Sequence, residues 1–385
     1  MRLLVITETL YPKPGNNGNL IGKLVPYLRE RHQVEILSMA FGQPEPLPDM
    51  MFGVPVHWAR DDRRGWKRKL LFPAVSKAVD RGGWSDAVSS MILSDEIRRL
   101  DADRRYDVLL TTSEPFVSAL SALPFQNRKK LLYIMDPPGC VCGGDTTAYR
   151  DKMLPELLQK QDLILTTPFI RAALSKHGFS CADGKTVSVG FPMITENTPQ
   201  RAAPQGETVR LLYCGWLYSD IRSPQYFLDV VSRLDERFEV TFMGRECETL
   251  RERFEIRTRA SIVTLPQQPY ETALQAMADA DVLINIGNSV PVHMPSKTLE
   301  YINTGKPVVN FHKLQDCPTL YYTKRYPLCL NLFEGEADTD KAAQAFIDFC
   351  LTRKGQMVDH AWIEREYADC TPQYIAQQIT DFLEK

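Results

Sequence analysis

Short, almost wholly apolar runs recur along this chain with helix-length segments between them, and that alternation most restricts its fold. In the first half the runs are residues 2–7, 34–38, 107–112, 130–135, 162–167 and 187–189, with a helical stretch at 20–31. A strand apolar on both faces belongs in a parallel sheet covered on both sides, because a half-solvated strand would alternate polar and apolar positions. Residues 195–208 break the pattern with Thr-Glu-Asn-Thr-Pro-Gln-Arg-Ala-Ala-Pro-Gln-Gly-Glu-Thr, the composition of a linker. The alternation then restarts, with strands at 209–214, 238–243, 262–265, 282–286 and 307–311, and helices at 224–234, 271–280 and 296–303. Two doubly wound α/β units in tandem are expected.

The 385 residues suit two domains, and 44% hydrophobic with 24% charged residues is ordinary globular composition. No apolar run approaches the roughly 20 residues of a membrane helix. The first residues read as a strand rather than a secretory signal. A net charge of −2 argues against a nucleic-acid partner, which favours a basic domain. Nine cysteines are scattered from Cys140 to Cys370. Cys140-Val-Cys142 is too tight for a zinc knuckle and no second pair completes it, so reduced thiols in a cytoplasmic protein without a metal are expected.

Ligands of open parallel sheets bind beyond the carboxyl ends of the strands, so the loops there are where chemistry is sought. Gly15-Asn-Asn-Gly18-Asn-Leu-Ile-Gly22 follows the first strand and opens a helix. Its glycines let backbone approach a ligand, and a helix start favours an anion or a hydroxyl-rich group, although a plain flexible loop explains it equally. The spacing is not G-x-G-x-x-G, which counts against a dinucleotide fold. In the second half, Asp281-Val-Leu-Ile-Asn-Ile-Gly287-Asn288 runs into Pro295-Ser296-Lys297-Thr298-Leu299-Glu300-Tyr301, and Gly305-Lys306-Pro307 closes the helix. With Ser296 as N-cap, the amides of Lys297 and Thr298 would face a diphosphate, and Lys297 would add a cation. Glu300 shares that helix face and could accept hydrogen bonds from a ribose diol. An exposed Lys297–Glu300 ion pair, worth a few tenths of a kcal/mol, would place the same residues there without a ligand.

These two segments, with Leu211-Leu-Tyr-Cys-Gly215-Trp-Leu217 and Val240-Thr-Phe-Met-Gly244 before them, resemble the retaining family-4 group of GT-B glycosyltransferases. The Pro-Ser-Lys-x-x-Glu-Tyr block is the most specific part, and Gly15–Gly22, 107–115, 162–167 and Val189-Gly-Phe-Pro192 extend the resemblance weakly into the first half. The resemblance implies two tandem Rossmann-like domains with an interdomain cleft. Residues 1–195 would bind acceptor, 196–208 link, 209–357 bind nucleotide sugar, and 358–385 return to the first domain. The implied reaction is retaining transfer from a nucleotide-diphosphate sugar, with UDP favoured, to a glycan or polyprenyl-linked acceptor, without a metal. Carried over by position, Glu300 would hold the ribose, Ser296 and Lys297 the phosphates, and Gly215 the loop beside the donor. Arg222 falls near a diphosphate-binding basic residue, or else is a solvent-facing arginine at a helix start.

The chain also departs from the pattern. The glutamate separated by seven residues from Glu300 in many relatives is Val292 here, and Trp216 replaces an arginine after the loop glycine. No pocket histidine is evident near residues 111–115. Catalytic candidates are Asp136, Glu114 and His293, each of which could instead serve a turn. Two alternatives stay open: a non-catalytic nucleotide-sugar or glycan binder, and a GT-B nucleotide-sugar epimerase. Finally, Arg60-Asp-Asp-Arg-Arg-Gly-Trp66-Lys67-Arg68-Lys69-Leu-Leu-Phe72 mixes basic and bulky apolar residues. Such a stretch suits an anionic membrane surface, and hence peripheral attachment at the inner face, or equally a solvated loop.

Overall fold

The expected strands pair in parallel, and each of the two sheets reverses its winding once. A computed structural model describes residues 1–10, 16–40, 46–60, 81–113, 116–139, 148–179, 185–196, 206–218, 221–336 and 338–385. The chain divides into one unit of Met1–Pro192 with Asp369–Lys385 and another of Met193–Ala368.

In the first unit the strands are β1 (Arg2–Thr7), β2 (Gln33–Met39), β3 (Met50–Met51), β4 (Val54–Ala59), β5 (Val108–Thr112), β6 (Lys129–Ile134), β7 (Leu163–Thr166) and β8 (Thr186–Ser188). They lie in the order β3-β4-β2-β1-β5-β6-β7-β8, parallel except for the β3–β4 pair. The second unit holds β9 (Val209–Cys214), β10 (Phe238–Met243), β11 (Ser261–Leu265), β12 (Val282–Ile286), β13 (Val308–His312) and β14 (Cys329–Phe333). Their order is β11-β10-β9-β12-β13-β14, all parallel. Winding reverses between β1 and β5 in one sheet and between β9 and β12 in the other. These switch points open crevices at the carboxyl ends of the strands.

Acids at strand entrances set the pairing. Asp107 Oδ2 accepts from the Arg2 amide (2.8 Å), Asp162 Oδ2 from Lys130 (2.8 Å) and Asp281 Oδ2 from Arg210 (2.9 Å). Each carboxylate thus satisfies a main-chain donor of the strand beside it. In the second sheet a buried amide ladder adds to this. Asn285 donates to Asn310 (2.7 Å) and Asn310 to Asn331 (2.8 Å), from matched positions on β12, β13 and β14. A one-residue slip would turn every one of these side chains to the opposite face and leave buried amides unpaired. On the other face of the sheet from Asn310, Phe311 joins Phe227, Phe242 and Phe346 in an aromatic cluster with neighbouring centroids 4.9–6.3 Å apart.

Several local expectations are corrected. The helix expected over 20–31 is two pieces, Asn16–Gly22 and Val25–Leu28, because Pro26 lacks an N–H and is tolerated only in a first helical turn. Strands β4 and β14 escaped notice. Pro55 suits the margin of a sheet rather than a central strand, while β14 matches β12 and β13 in its length and its asparagine. Thr195, within the supposed linker region, is fixed to Asn303 by reciprocal bonds of 3.1 Å in the second unit. Residues 197–205 lie outside the described residues.

The last stretch divides. His360–Glu366 stays with the second unit, while Pro372–Leu383 joins the first. Thr371 Oγ1 accepts from the Tyr374 amide (3.2 Å), and Pro372 occupies the first turn, so a fresh helix starts here. Its Ile375, Ile379 and Leu383 are buried, and Glu384 pairs with Arg31 at 2.8 Å. Among the described residues no helix is long and apolar enough to cross a membrane.

Ile379 is fully buried. Ile379→Ala is expected to destabilise the first unit by about 2–5 kcal/mol, the cost of a truncated core aliphatic. Urea unfolding measures this, and an unchanged midpoint would show that the helix is not part of that core.

Candidate functional site

At the β9–β12 switch point the chain turns on two glycines. Gly244, after β10, has φ +138°, a conformation natural to glycine, and a Cβ there would overlap the carbonyl oxygen of Gly215. The Gly215 amide donates to Met243 (2.9 Å) and the Leu217 amide to Arg245 (3.1 Å). The loops leaving β9 and β10 therefore run side by side, backbone against backbone.

Side chains of these loops are ordered by one another. Trp216 stacks on Tyr218 with centroids 4.0 Å apart, and its Nε1 donates to Glu246 Oε1 (3.0 Å). The other oxygen of Glu246 holds Arg253 at 2.9 Å. Arg245 lays its guanidinium 4.0 Å from the Trp216 ring centroid. Arg222 is not the solvent-facing arginine of one sequence reading, being only 8% exposed. It donates through Nε to Asn288 Oδ1 (2.9 Å) and through Nη1 to the Trp216 carbonyl (3.0 Å), and it covers the Tyr218 ring. Asn288 in turn donates to the His293 carbonyl (2.9 Å), and the Ser289 amide to Ile221 (2.7 Å). Arg222 thus ties the loop after β9 to the loop after β12. Within the latter, Val292 holds φ 67°, an uncommon conformation for a β-branched residue.

The helix Lys297–Asn303 is pinned to the same place. Tyr301 Oη donates to the Cys214 carbonyl (2.9 Å) and accepts from the Cys214 amide (2.8 Å). Thr298 Oγ1 donates to Asn285 Oδ1 (3.3 Å), joining the helix to the amide ladder. This holds Glu300 over the end of β9, with Lys297 Nζ 2.5 Å from its Oε2. Glu300 is 8% exposed, so the pair is not the exposed one that composition alone would allow. Burial opposes the charge of Lys297, but the Glu300 carboxylate outweighs it and the pKa rises. Tyr270, after β11, also senses Glu300: desolvation, then that charge and a side-chain hydrogen bond to the carboxylate push its hydroxyl up to about 12. Glu300 Oε1 is buried and receives no hydrogen bond among the described residues.

Ser296 behaves differently from expectation. It sits at the N-cap position but is itself helical, and its side chain makes no cap bond. The turn consequently begins at Pro295, whose carbonyl takes the Thr298 amide (3.1 Å), while Ser296 takes Leu299 (3.2 Å). The Thr298 amide, expected to face a diphosphate, is already committed. Lys297, Glu300, Gly215 and Arg222 are brought together, and Tyr270 and Arg245 were missed. A residue just beyond a strand-ending glycine, as Arg245 is beyond Gly244, is the signal that could have found one of them.

In the first unit, Gly18 is buried and a Cβ there would overlap the Thr9 carbonyl, which accounts for the glycine by packing. Asn17 beside it donates to Asp136 Oδ2 (3.0 Å) and to the Ser113 carbonyl (2.6 Å). Asp136 is therefore oriented at the end of β6 by the helix that follows β1. Gly15, Glu114 and residues 61–72 of the basic-aromatic stretch lie outside the described residues.

No family model matches the chain, and a search of curated proteins finds no match. Its fold does have counterparts, and that fold is GT-B: two Rossmann-like bodies, each a parallel sheet wound on both sides. The Anabaena protein HepE in complex with UDP and glucose is similar at 12% identity, with TM-score 0.65 and 100% of both chains covered. The lipopolysaccharide outer core galactosyltransferase WaaB, in its apo form, matches at 11% identity and TM-score 0.61, covering 100% of this chain and 99% of that one. A chain described as a UDP-N-acetylglucosamine 2-epimerase from Listeria monocytogenes matches at 11% and 0.58, over 100% and 95%. At these identities the likeness is one of fold.

Tyr301→Phe would leave the Cys214 amide and carbonyl without their side-chain partner in a buried place. A loss of about 1–3 kcal/mol is expected in chemical unfolding. A change near zero would mean that the hydroxyl does not pin the helix.

Proposed function

We propose that the protein is a glycosyltransferase taking a sugar from a UDP-sugar bound in its second unit. One observation carries the reading: a buried carboxylate oxygen, Glu300 Oε1, has no donor among the described residues while Lys297 holds its other oxygen. Leaving such an acceptor unpaired costs about 1–3 kcal/mol or more for a charged group, so a ligand with paired hydroxyl donors is the natural complement. A ribose diol has that chemistry. Lys297 beside it supplies a cation for the diphosphate. UDP as the carrier is supported by the shared fold of HepE, whose structure holds UDP and glucose.

Transfer in this reading retains configuration, as in the family-4 group that the motifs resemble. The protein orients donor and acceptor, stabilises the charge developing on the departing diphosphate, and leaves that diphosphate to take the acceptor's proton. The thiols near the site do not serve as nucleophiles. Burial raises both Cys214 and Cys247, the latter to about 12, so both stay protonated at neutral pH. Asp136, oriented by Asn17, is the acceptor-side carboxylate, and the acceptor is a glycan or a polyprenyl-linked saccharide. A lipid-linked acceptor fits peripheral attachment at the inner membrane face through residues 60–72. The Listeria match supports a second reading, epimerisation of a UDP-sugar, which would proceed without any acceptor.

Calorimetry with UDP tests the donor site. Glu300→Gln should weaken binding by about 1.5–3 kcal/mol, roughly 10- to 150-fold, with the fold intact. Equal affinity in the two proteins would remove Glu300 from the site. Isomerised UDP-sugar formed without acceptor would favour the epimerase reading.

A further inference from the structure

We infer that Arg245, held over the Trp216 ring, is a phosphate-binding residue of the donor site and contacts the diphosphate of the nucleotide sugar. The inference rests on the donor reading above and adds a residue to it.

Position comes first. Met243 pairs with Cys214 across β10 and β9, and adjacent strands lie about 4.8 Å apart. Arg245 is two residues beyond Met243, and its carbonyl accepts the Leu217 amide (3.1 Å). Lys297 and Glu300 stand over Cys214 through the Tyr301 bonds. Arg245 therefore follows β10, while Lys297 opens the helix pinned to the end of the adjacent strand β9, so both stand at the carboxyl ends of this pair of strands.

Charge accounting then singles out Arg245. Lys297 is paired with Glu300, Arg253 with Glu246, and buried Arg222 is bonded to Asn288 and the Trp216 carbonyl. Glu246 is further engaged by Trp216 Nε1. Arg245 is exposed, and among the described residues its partner is the Trp216 ring and no carboxylate lies within ion-pairing distance. Lys297 and Arg253 each have a carboxylate and Arg222 has two neutral acceptors, whereas no hydrogen-bond acceptor engages the Arg245 guanidinium among the described residues.

This place over the ring also leaves the right atoms available. Its contact with the ring uses no hydrogen-bond acceptor, so N–H donors of the guanidinium remain for a phosphate. Trp216 is fixed by Tyr218 on its ring and by Glu246 at its nitrogen, and Tyr218 is itself covered by Arg222. The column Arg245–Trp216–Tyr218–Arg222 thus limits the rotamers open to Arg245 before any ligand arrives, which lowers the entropic cost of binding. Trp216 brings no charge of its own beside Gly215, but it brings one from the next strand.

The test compares wild type, Arg245→Gln, Arg245→Lys and Glu300→Gln by calorimetry with UDP, and by competition with uridine. Arg245→Gln should weaken UDP roughly 10- to 100-fold, as expected for charge-assisted hydrogen bonds. Uridine, without phosphates, should bind that variant as it binds wild type, and Arg245→Lys should recover only part of the UDP affinity. Because Arg245 is exposed, the unfolding midpoint should hold. UDP affinity kept in Arg245→Gln but lost in Glu300→Gln would overturn the role of Arg245 while leaving the donor reading. Parallel loss of UDP and uridine would also overturn it, as a structural effect. No UDP binding by wild type would overturn both.

Discussion

The loops after β9 and β10 approach so closely that there is no room for a side chain at Gly244, and the site is built on that contact. Backbone bonds from Gly215 to Met243 and from Leu217 to Arg245 keep the two loops in register. Trp216 and Arg245 can meet only because their main chains are held side by side. From Trp216 the order passes outward, through its carbonyl to Arg222 and through Asn288 to the loop after β12. On the other side Tyr301 clamps the helix carrying Lys297 and Glu300 to the last residue of β9. Loops are ordinarily the mobile part of such folds, but here they are cross-linked by side chains from the strand ends.

Electrostatics at this place are not those of a protein optimised for stability. A carboxylate taken out of water is costly, and one ammonium at a single oxygen does not satisfy it. Oε1 of Glu300 is buried and has no hydrogen-bond partner of its own among the described residues, and the loop before the helix carries Val292 at φ 67°. Strained or unsatisfied groups of this kind cluster where binding rather than folding sets the requirement. The Asn285–Asn310–Asn331 ladder of the same unit is fully matched, whereas Tyr226 Oη and Arg325 Nε, like Glu300 Oε1, are buried without a hydrogen-bond partner among the described residues. What directs attention to Glu300 is its charge and its place, beside Lys297 on the helix tied to the end of β9.

Much of the architecture was legible because parallel sheets write themselves as doubly apolar runs. Strands β1, β9, β10 and β12 fall on the expected residues, and Asp107, Asp162 and Asp281 mark three strand entrances. Strand β4 was hidden by Pro55, while β14 was passed over although its length and its asparagine match those of β12 and β13. Pro26 could not reveal from local sequence whether it ended one helix or began another. Of the site, Lys297 and Glu300 were readable from helix spacing. The burial of their pair was not, since it depends on strands far away in sequence. Arg222 was readable either as a diphosphate-binding basic residue or as a surface arginine at a helix start, and its burial depends on Asn288, from a different strand end. Ser296 matched a capping composition, yet Pro295 began the turn one residue early. Arg245 carries no motif of its own, and its position becomes meaningful only when β10 is placed beside β9.

The central claim is that a nucleotide diphosphate binds the second unit at the carboxyl ends of β9, β10 and β12. Amide hydrogen exchange of the full chain, with and without saturating UDP, tests it most directly, because a bound ligand protects the backbone it orders. The account predicts slower exchange at 214–218, 244–246 and 297–301. Unchanged exchange in all three segments, or protection confined to residues 1–192, would contradict it.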